Sequence, residues 1–411
     1  MGFPSLTEAV GSKDSPRPLE GVRVLDLSRV LAGPMCTQYL GDLGAQVVKV
    51  EPLGLGDETR GWPPFRAGES AIFNSFNRNK SDIALDLKSE QGRAIVLALA
   101  RDADVVVENY STGVPARLGV DYDSLRAVNP RIIYCSISGF GTEGPLAAMQ
   151  AYDVVMQAFT GLMTLTGEPG SGPIRSPISP IDYVTGMHAI TAILAALLRV
   201  RSTGKGTRIE VSLFDTAVGL LGYQIQTYWV TGKVPEKNGS RHLSMCPYQA
   251  FQAKDGSFLL AITNDGQWQR FCRAAGHSEL AENERYRTNA LRVLHYTEVI
   301  ARVGEILASR TCEEWLRILG AAKVPASPIQ SIAELLVHPH MRARDIVGEF
   351  DSPGPNPQAI AMPVVLDGEP RSLGRRPPAH GENTVAVLHG LGYSPEQINA
   401  LFERGVVEGK R

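Results

Sequence analysis

Val22-Arg-Val-Leu-Asp-Leu27, Gly33-Pro-Met-Cys-Thr-Gln-Tyr-Leu-Gly-Asp-Leu-Gly44 and Ala45-Gln-Val-Val-Lys-Val50 follow one another near the start of the chain, and their order decides the fold. The first run is short and β-type, the second carries apolar residues at helical spacing, and the third is again a strand. The alternation continues outward. A strand is expected over 83–87, a helix over 89–100, a strand over 105–107, a short helix over 122–128 and a strand over 132–136. Strands that alternate with helices of about a dozen residues predict an α/β fold with a doubly wound parallel sheet.

Further along, a long helix is expected over 182–199. The turn Thr203-Gly-Lys-Gly206 leads from it into a strand over 208–211, and a second apolar helix spans 216–230. The composition then changes. Residues 232–240 are rich in turn formers, and 248–253 and 258–262 flank Lys254-Asp-Gly256 as a β-hairpin. Helices over 267–275, 293–308 and 313–321 follow. The expected organisation is a polar leader over 1–18, the N-terminal part of a large domain over 19–215, a linker over 216–244, a smaller α+β domain over 245–329, and a return to the large domain over 330–411, ending in a helix over 395–404. At 411 residues, two domains are the natural expectation.

Bulk properties exclude several function classes. Lys and Arg number 41 against 43 Asp and Glu, so no global field draws the chain to nucleic acid or membrane, and an anionic ligand needs local groups. Cys36, Cys135, Cys246, Cys272 and Cys312 are scattered singly, which reads as reduced thiols in the cytoplasm, or the mitochondrial matrix of a eukaryote. No histidine pattern suits zinc, so no metal is expected. The longest apolar run, 189–198, is about half a membrane span. The turn after the first strand, Ser28-Arg-Val-Leu-Ala-Gly-Pro34, lacks the glycine fingerprint of dinucleotide-binding sheets, which disfavours a dehydrogenase.

Several stretches resemble the class III CoA transferases. They include Pro18-Leu-Glu-Gly-Val-Arg-Val-Leu-Asp26, Leu31-Ala-Gly-Pro34, Leu40-Gly-Asp-Leu-Gly-Ala45, Val48-Lys-Val-Glu51, Gly56-Asp-Glu-Thr-Arg60 and Asn77-Arg-Asn-Lys80. Further on come Val107-Glu-Asn-Tyr110, Ser138-Gly-Phe-Gly-Thr-Glu-Gly-Pro145, Asp182-x-x-x-Gly186, Pro247-Tyr-Gln-Ala-Phe251 and Gly405-Val-Val407. The likeness runs from Pro18 to Val407 in the family's order. It implies an interlocked homodimer, coenzyme A and acyl-CoA as substrates with no permanently bound cofactor, and small carboxylic acids as the other partners.

On this resemblance Asp182 is the nucleophile, forming an aspartyl anhydride and then an aspartyl-CoA thioester. From the residues alone, an Asp just before an apolar helical run reads as a helix N-cap, and both roles can coexist. The resemblance places coenzyme contacts at Val30, Leu85, Asn109, Tyr110, Arg117 and Leu118. Gly172-Pro-Ile-Arg175 and Asn238-Gly-Ser-Arg-His242 look most like the succinyl-CoA:glutarate and related dicarboxylate enzymes. Arg175, in a loop expected to approach the nucleophile, and His242 are therefore candidates for gripping the acid. Racemases of the family carry Gly-His-Asp where this chain has Ala151-Tyr152-Asp153, and a phenol of ordinary pKa is a feeble base. A racemase and a non-catalytic CoA-binding scaffold are the alternative readings.

Overall fold

A computed structural model describes residues 17–410, so most of the expected leader lies outside the described residues. The chain forms two compact units. Of the described residues, the first comprises 17–160, Ser176–Ile225 and 340–410; the second comprises Gly161–Arg175 and Gln226–Pro339. Segments 161–175 and 330–339, which the sequence reading assigns elsewhere, thus go with the second unit, and the expected linker over 216–244 is divided, 216–225 going with the first unit and 226–244 with the second.

The main elements of the first unit are β1 (Arg23–Asp26), α1 (Ala32–Asp42), β2 (Gln46–Glu51), β3 (Lys80–Leu85), α2 (Glu90–Asp102), β4 (Val105–Glu108), α3 (Val114–Leu118), α4 (Tyr122–Val128), β5 (Ile133–Ser138), α5 (Asp153–Phe159), α6 (Pro180–Thr203), β6 (Thr207–Ser212) and α7 (Leu213–Thr231). α7 bends at Gly222 (φ 22°, ψ −104°) and carries the chain into the second unit. The sheet order is β10-β3-β2-β1-β4-β5-β6, where β10 is Val407–Glu408. All pairs are parallel except β10 with β3, which is antiparallel.

Both faces of this sheet are covered, which is why central β4 is a continuous buried run of valines, whereas β6 at the edge alternates polar and apolar residues. One core joins Leu25, Val48, Ile83 and Val106 to Ile95 and Leu99 of α2 and to Val387 and Leu401 near the C-terminus. The other joins Val24, Val47, Val105 and Ile133 to Cys36 and Leu40 of α1 and to Ala189, Ile193 and Val200 of α6. By length and composition α6 could cross a membrane, but it supplies much of this second core. The order reverses at β1, with β2 and β3 on one side and β4 to β6 on the other. Loops leave the carboxyl ends of β1 and β4 in opposite directions, and ligands of open α/β sheets bind in that crevice.

The second unit contains the antiparallel sheet β9-β8-β7, made of β7 (Tyr248–Gln252), β8 (Ser257–Ala261) and β9 (Ala326–Pro328). It packs against α8 (Asp265–Ala274), α9 (Tyr296–Leu307) and α10 (Cys312–Ala321) around Phe258, Trp268, Phe271 and Trp315. The helix expected over 293–308 is broken at His295, which separates Asn289–Leu294 from α9.

Candidate active site

The turn after β1 is held in place before any ligand arrives. The Asn109 side chain, just past β4, grips Arg29 twice: Oδ1 accepts the Arg29 N–H at 2.9 Å and Nδ2 donates to the Arg29 carbonyl at 2.7 Å. Val30 follows with φ +70°, a left-handed conformation that a β-branched residue adopts only under constraint. The constraint is Asp57, whose two oxygens each accept the Val30 N–H at 3.3 Å. Asp57 is in turn paired with fully buried Lys49 at 3.0 Å. Burial opposes the Lys49 charge, but Asp57, Asp26 and Glu51 outweigh it and hold the ammonium well above its ordinary value.

Asp182 reaches the same crevice from α6. The helix begins at Pro180, with Ser179 at the N-cap, so Asp182 sits at its third position. The N-cap role expected of Asp182 therefore does not apply, because proline, which needs no N–H partner, opens the helix two residues earlier. One turn further on, Gly186 explains the Asp-x-x-x-Gly spacing. A Cβ there would stand 2.7 Å from the Ala32 carbonyl and 2.6 Å from the Met35 methyl, so only glycine lets α1 and α6 cross this closely. Asp182 thereby faces the start of α1.

A cavity of about 220 Å³ is lined by Arg29, Val30, Asn109, Tyr110, Tyr152 and Asp182, among others. Beside it lies a second of about 390 Å³, lined by residues that include Leu85, Lys88 and Leu118. Arg29 and Tyr110 line both. The first is too small for a coenzyme thioester but fits an acyl group, and the second adds length for a bulkier moiety. Arg29, paired with Glu58 at 3.0 Å, is the only cation lining the first cavity among the described residues.

The Asp182 carboxyl is pushed up to about 7, first by burial and then by the charge of Asp153. At neutral pH it is divided between its two forms. Once ionised it is more basic than an ordinary carboxylate, which suits it to attack an electrophilic carbonyl.

Of the residues singled out in the sequence, the structure brings Val30, Asn109, Tyr110 and Asp182 to the first cavity, and Leu85, Tyr110 and Leu118 to the second. Arg117 is exposed on α3 and lines neither. Arg175 and His242 belong to the second unit and line neither. Lys237 donates to the Ser171 carbonyl at 3.2 Å and the Gly239 N–H to the Gly167 carbonyl at 3.0 Å, which ties the Arg175 loop into that unit. The His242 N–H donates to the Tyr248 carbonyl at 3.0 Å. Sequence reasoning passed over Arg29 and Asp153. Arg29 adjoins Val30 in the turn and could have been found there; no spacing in the sequence announces that Asp153 meets Asp182.

Comparison with known proteins agrees with this architecture. The profile described as CoA-transferase family III matches residues 19–384. A succinate–glutarate CoA-transferase of Agrobacterium fabrum is 38% identical over 382 residues, covering 91% of this chain and 96% of that one. An acetyl-CoA:oxalate CoA-transferase of Acetobacter aceti is 39% identical over 360 residues, covering 87% of this chain and 92% of that one. The crystal structure of a CAIB/BAIF family protein from Brucella suis superposes with a TM-score of 0.81 at 37% identity, covering 92% of this chain and all of that one. With a profile match over most of its length and relatives of this identity and coverage, the chain belongs to CoA-transferase family III and is an enzyme of the CoA-transferase type.

Proposed function

We propose that the enzyme moves coenzyme A from an acyl-CoA, succinyl-CoA in the first instance, to a free dicarboxylic acid, with Asp182 as covalent carrier. An Asp182 oxygen attacks the thioester carbonyl, the C–S bond breaks, and CoA thiolate leaves behind a mixed aspartyl–acyl anhydride. The thiolate then attacks the Asp182 carbonyl, releasing the donor acid and forming an aspartyl-CoA thioester. The acceptor carboxylate attacks that thioester, giving a new anhydride and free thiolate. Attack of the thiolate on the acceptor's acyl carbonyl yields the new acyl-CoA and restores the Asp182 carboxylate.

The observation that carries this reading is a carboxylate raised to about 7 and aimed into an acyl-sized cavity that adjoins a longer one. The acyl group belongs beside Asp182, and the coenzyme runs past Tyr110 toward Leu85 and Leu118. The dicarboxylate class is supported by the succinate–glutarate and oxalate activities named for the relatives. Assembly as an interlocked homodimer, implied by the family resemblance, is supported by exposed large apolar side chains such as Trp229, Val230 and Val234. A folded monomer at nanomolar concentration would contradict it.

To test the chemistry, the enzyme is incubated with succinyl-CoA, quenched with hydroxylamine and digested. A hydroxamate on the peptide containing Asp182 is the expected product. Modification elsewhere, with none at Asp182, would remove it from the role.

A further inference from the structure

Two carboxylates meet at the start of α6. A helix leaves its first backbone N–H groups without partners of its own, and the residue at the N-cap usually supplies an acceptor. Ser179 stands there and supplies none. The acceptor comes from another helix: Oδ2 of Asp153, first residue of α5, takes the N–H of Ile181 at 2.8 Å and that of Asp182 at 3.2 Å. Asp153 is itself fixed, since its Oδ1 accepts from Nε2 of Gln157, whose Oε1 accepts the Ser176 N–H at 2.8 Å. Asp153 and Gln157 are only 5% and 1% exposed. Met156 of α5 and Ile181 of α6 pack with Phe140 and Leu213 as a small separate core.

We propose that Asp153 is a positioning residue for acyl transfer: it caps α6 in place of Asp182, leaving the Asp182 carboxylate free to face the cavity, and it sets a second negative charge beside that carboxylate. This rests on the reading of Asp182 as nucleophile. The arrangement favours the covalent intermediates. Asp182 is charged when free but neutral as an anhydride or a thioester, so repulsion from Asp153 is present before attack and relieved by it. The other ionisable groups lining the cavity are Arg29 and Glu58, paired with each other, and the phenols of Tyr110 and Tyr152. His188, the histidine of α6, is directed to the hydroxyl of Thr216 at 3.1 Å.

Two substitutions separate the cap from the charge. Asp153→Asn keeps a carbonyl oxygen for the two N–H groups and removes the charge, together with the hydrogen bond from Gln157 Nε2, which its amide nitrogen does not accept; Asp153→Ala removes cap and charge. With succinyl-CoA and glutarate, Asp153→Asn is expected to move the acidic limb of the kcat/KM–pH profile down by about one unit. Asp153→Ala should also lower kcat by roughly a hundredfold, the scale of a small misplacement of a reacting group, with KM little changed. A profile for Asp153→Asn that superimposes on wild type overturns the proposal, as does a kcat for Asp153→Ala within twofold of wild type. Should the alanine variant fail to fold, the near-isosteric asparagine variant decides alone. Hydroxylamine trapping on the wild-type enzyme keeps the two readings apart. No label at Asp182 means the nucleophile assignment has failed; a labelled Asp182 with a pH profile indifferent to Asp153 means only the positioning role has.

Discussion

Asp26 and Asp182 are carboxylates drawn away from water in the same unit, and the fold treats them in opposite ways. Asp26 ends β1 with no exposed surface. It accepts from the Ser28 N–H at 2.9 Å and the Thr37 hydroxyl at 2.7 Å, and it pairs with buried Lys80 at 3.0 Å. Burial alone would push its carboxyl up, but Lys80, Lys49 and the hydroxyls hold it below the ordinary value. Asp182 feels burial of the same sign, and its charged neighbour is Asp153, so its carboxyl rises to about 7. Burial does not by itself make a carboxylate reactive; the sign of the nearest charge decides. Asp26 is held ionised and anchors the β1–α1 turn, whereas Asp182 is kept close to its protonation midpoint at neutral pH.

The largest expected effect breaks this contrast at the reactive end. Asp182→Asn should lower CoA transfer by roughly a thousandfold or more, as loss of a covalent nucleophile does, without disturbing the fold. Transfer within tenfold of wild type would place Asp182 with Asp26 as a structural carboxylate. At the structural end, Lys80→Met leaves Asp26 buried without its closest cation and should cost about 3–5 kcal/mol in urea unfolding at pH 7. A loss below about 1 kcal/mol would show that Lys49 and the hydroxyls hold Asp26 without Lys80.

The smallest effect sharpens the comparison through pH. A carboxyl raised in the folded state weakens folding progressively as pH climbs from its unfolded value of about 4 to its folded value near 7, and the cost is constant above that. Asp182→Asn removes that cost. It should match wild type in stability near pH 4 and exceed it by about 2–4 kcal/mol at pH 8. Equal stability of the two proteins at both pH values would mean that Asp182 ionises as freely as a surface carboxylate.

Much of the fold was legible in the sequence because its strands and helices carry their own periodicity. α4 occupies the expected span of 122–128, and β1, β2 and α2 lie within two residues of expectation at either end. The beginning of α6 was not legible, because Ser179-Pro-Ile-Asp182 offers two polar residues that could each cap a helix. Backbone geometry chose Pro180 as the first helical residue. Likewise, the stretch over 139–161, which holds four glycines, hid α5, seven residues long, and with it the role of Asp153.

The sequence by itself determined the alternation of strand and helix, the family, and the candidate nucleophile, because each is written in local pattern or in motifs that stand in order along the chain. Only the tertiary structure decided that α6 is capped by a side chain from another helix, that Arg29 and Tyr110 line both cavities, and that Gly186 marks a helix crossing. Asp153 and Asp182 are 29 positions apart in the sequence, and their meeting is visible only in the folded chain. The charge felt by a buried group depends on distance through space, and separation along the chain fixes that distance only within a single element.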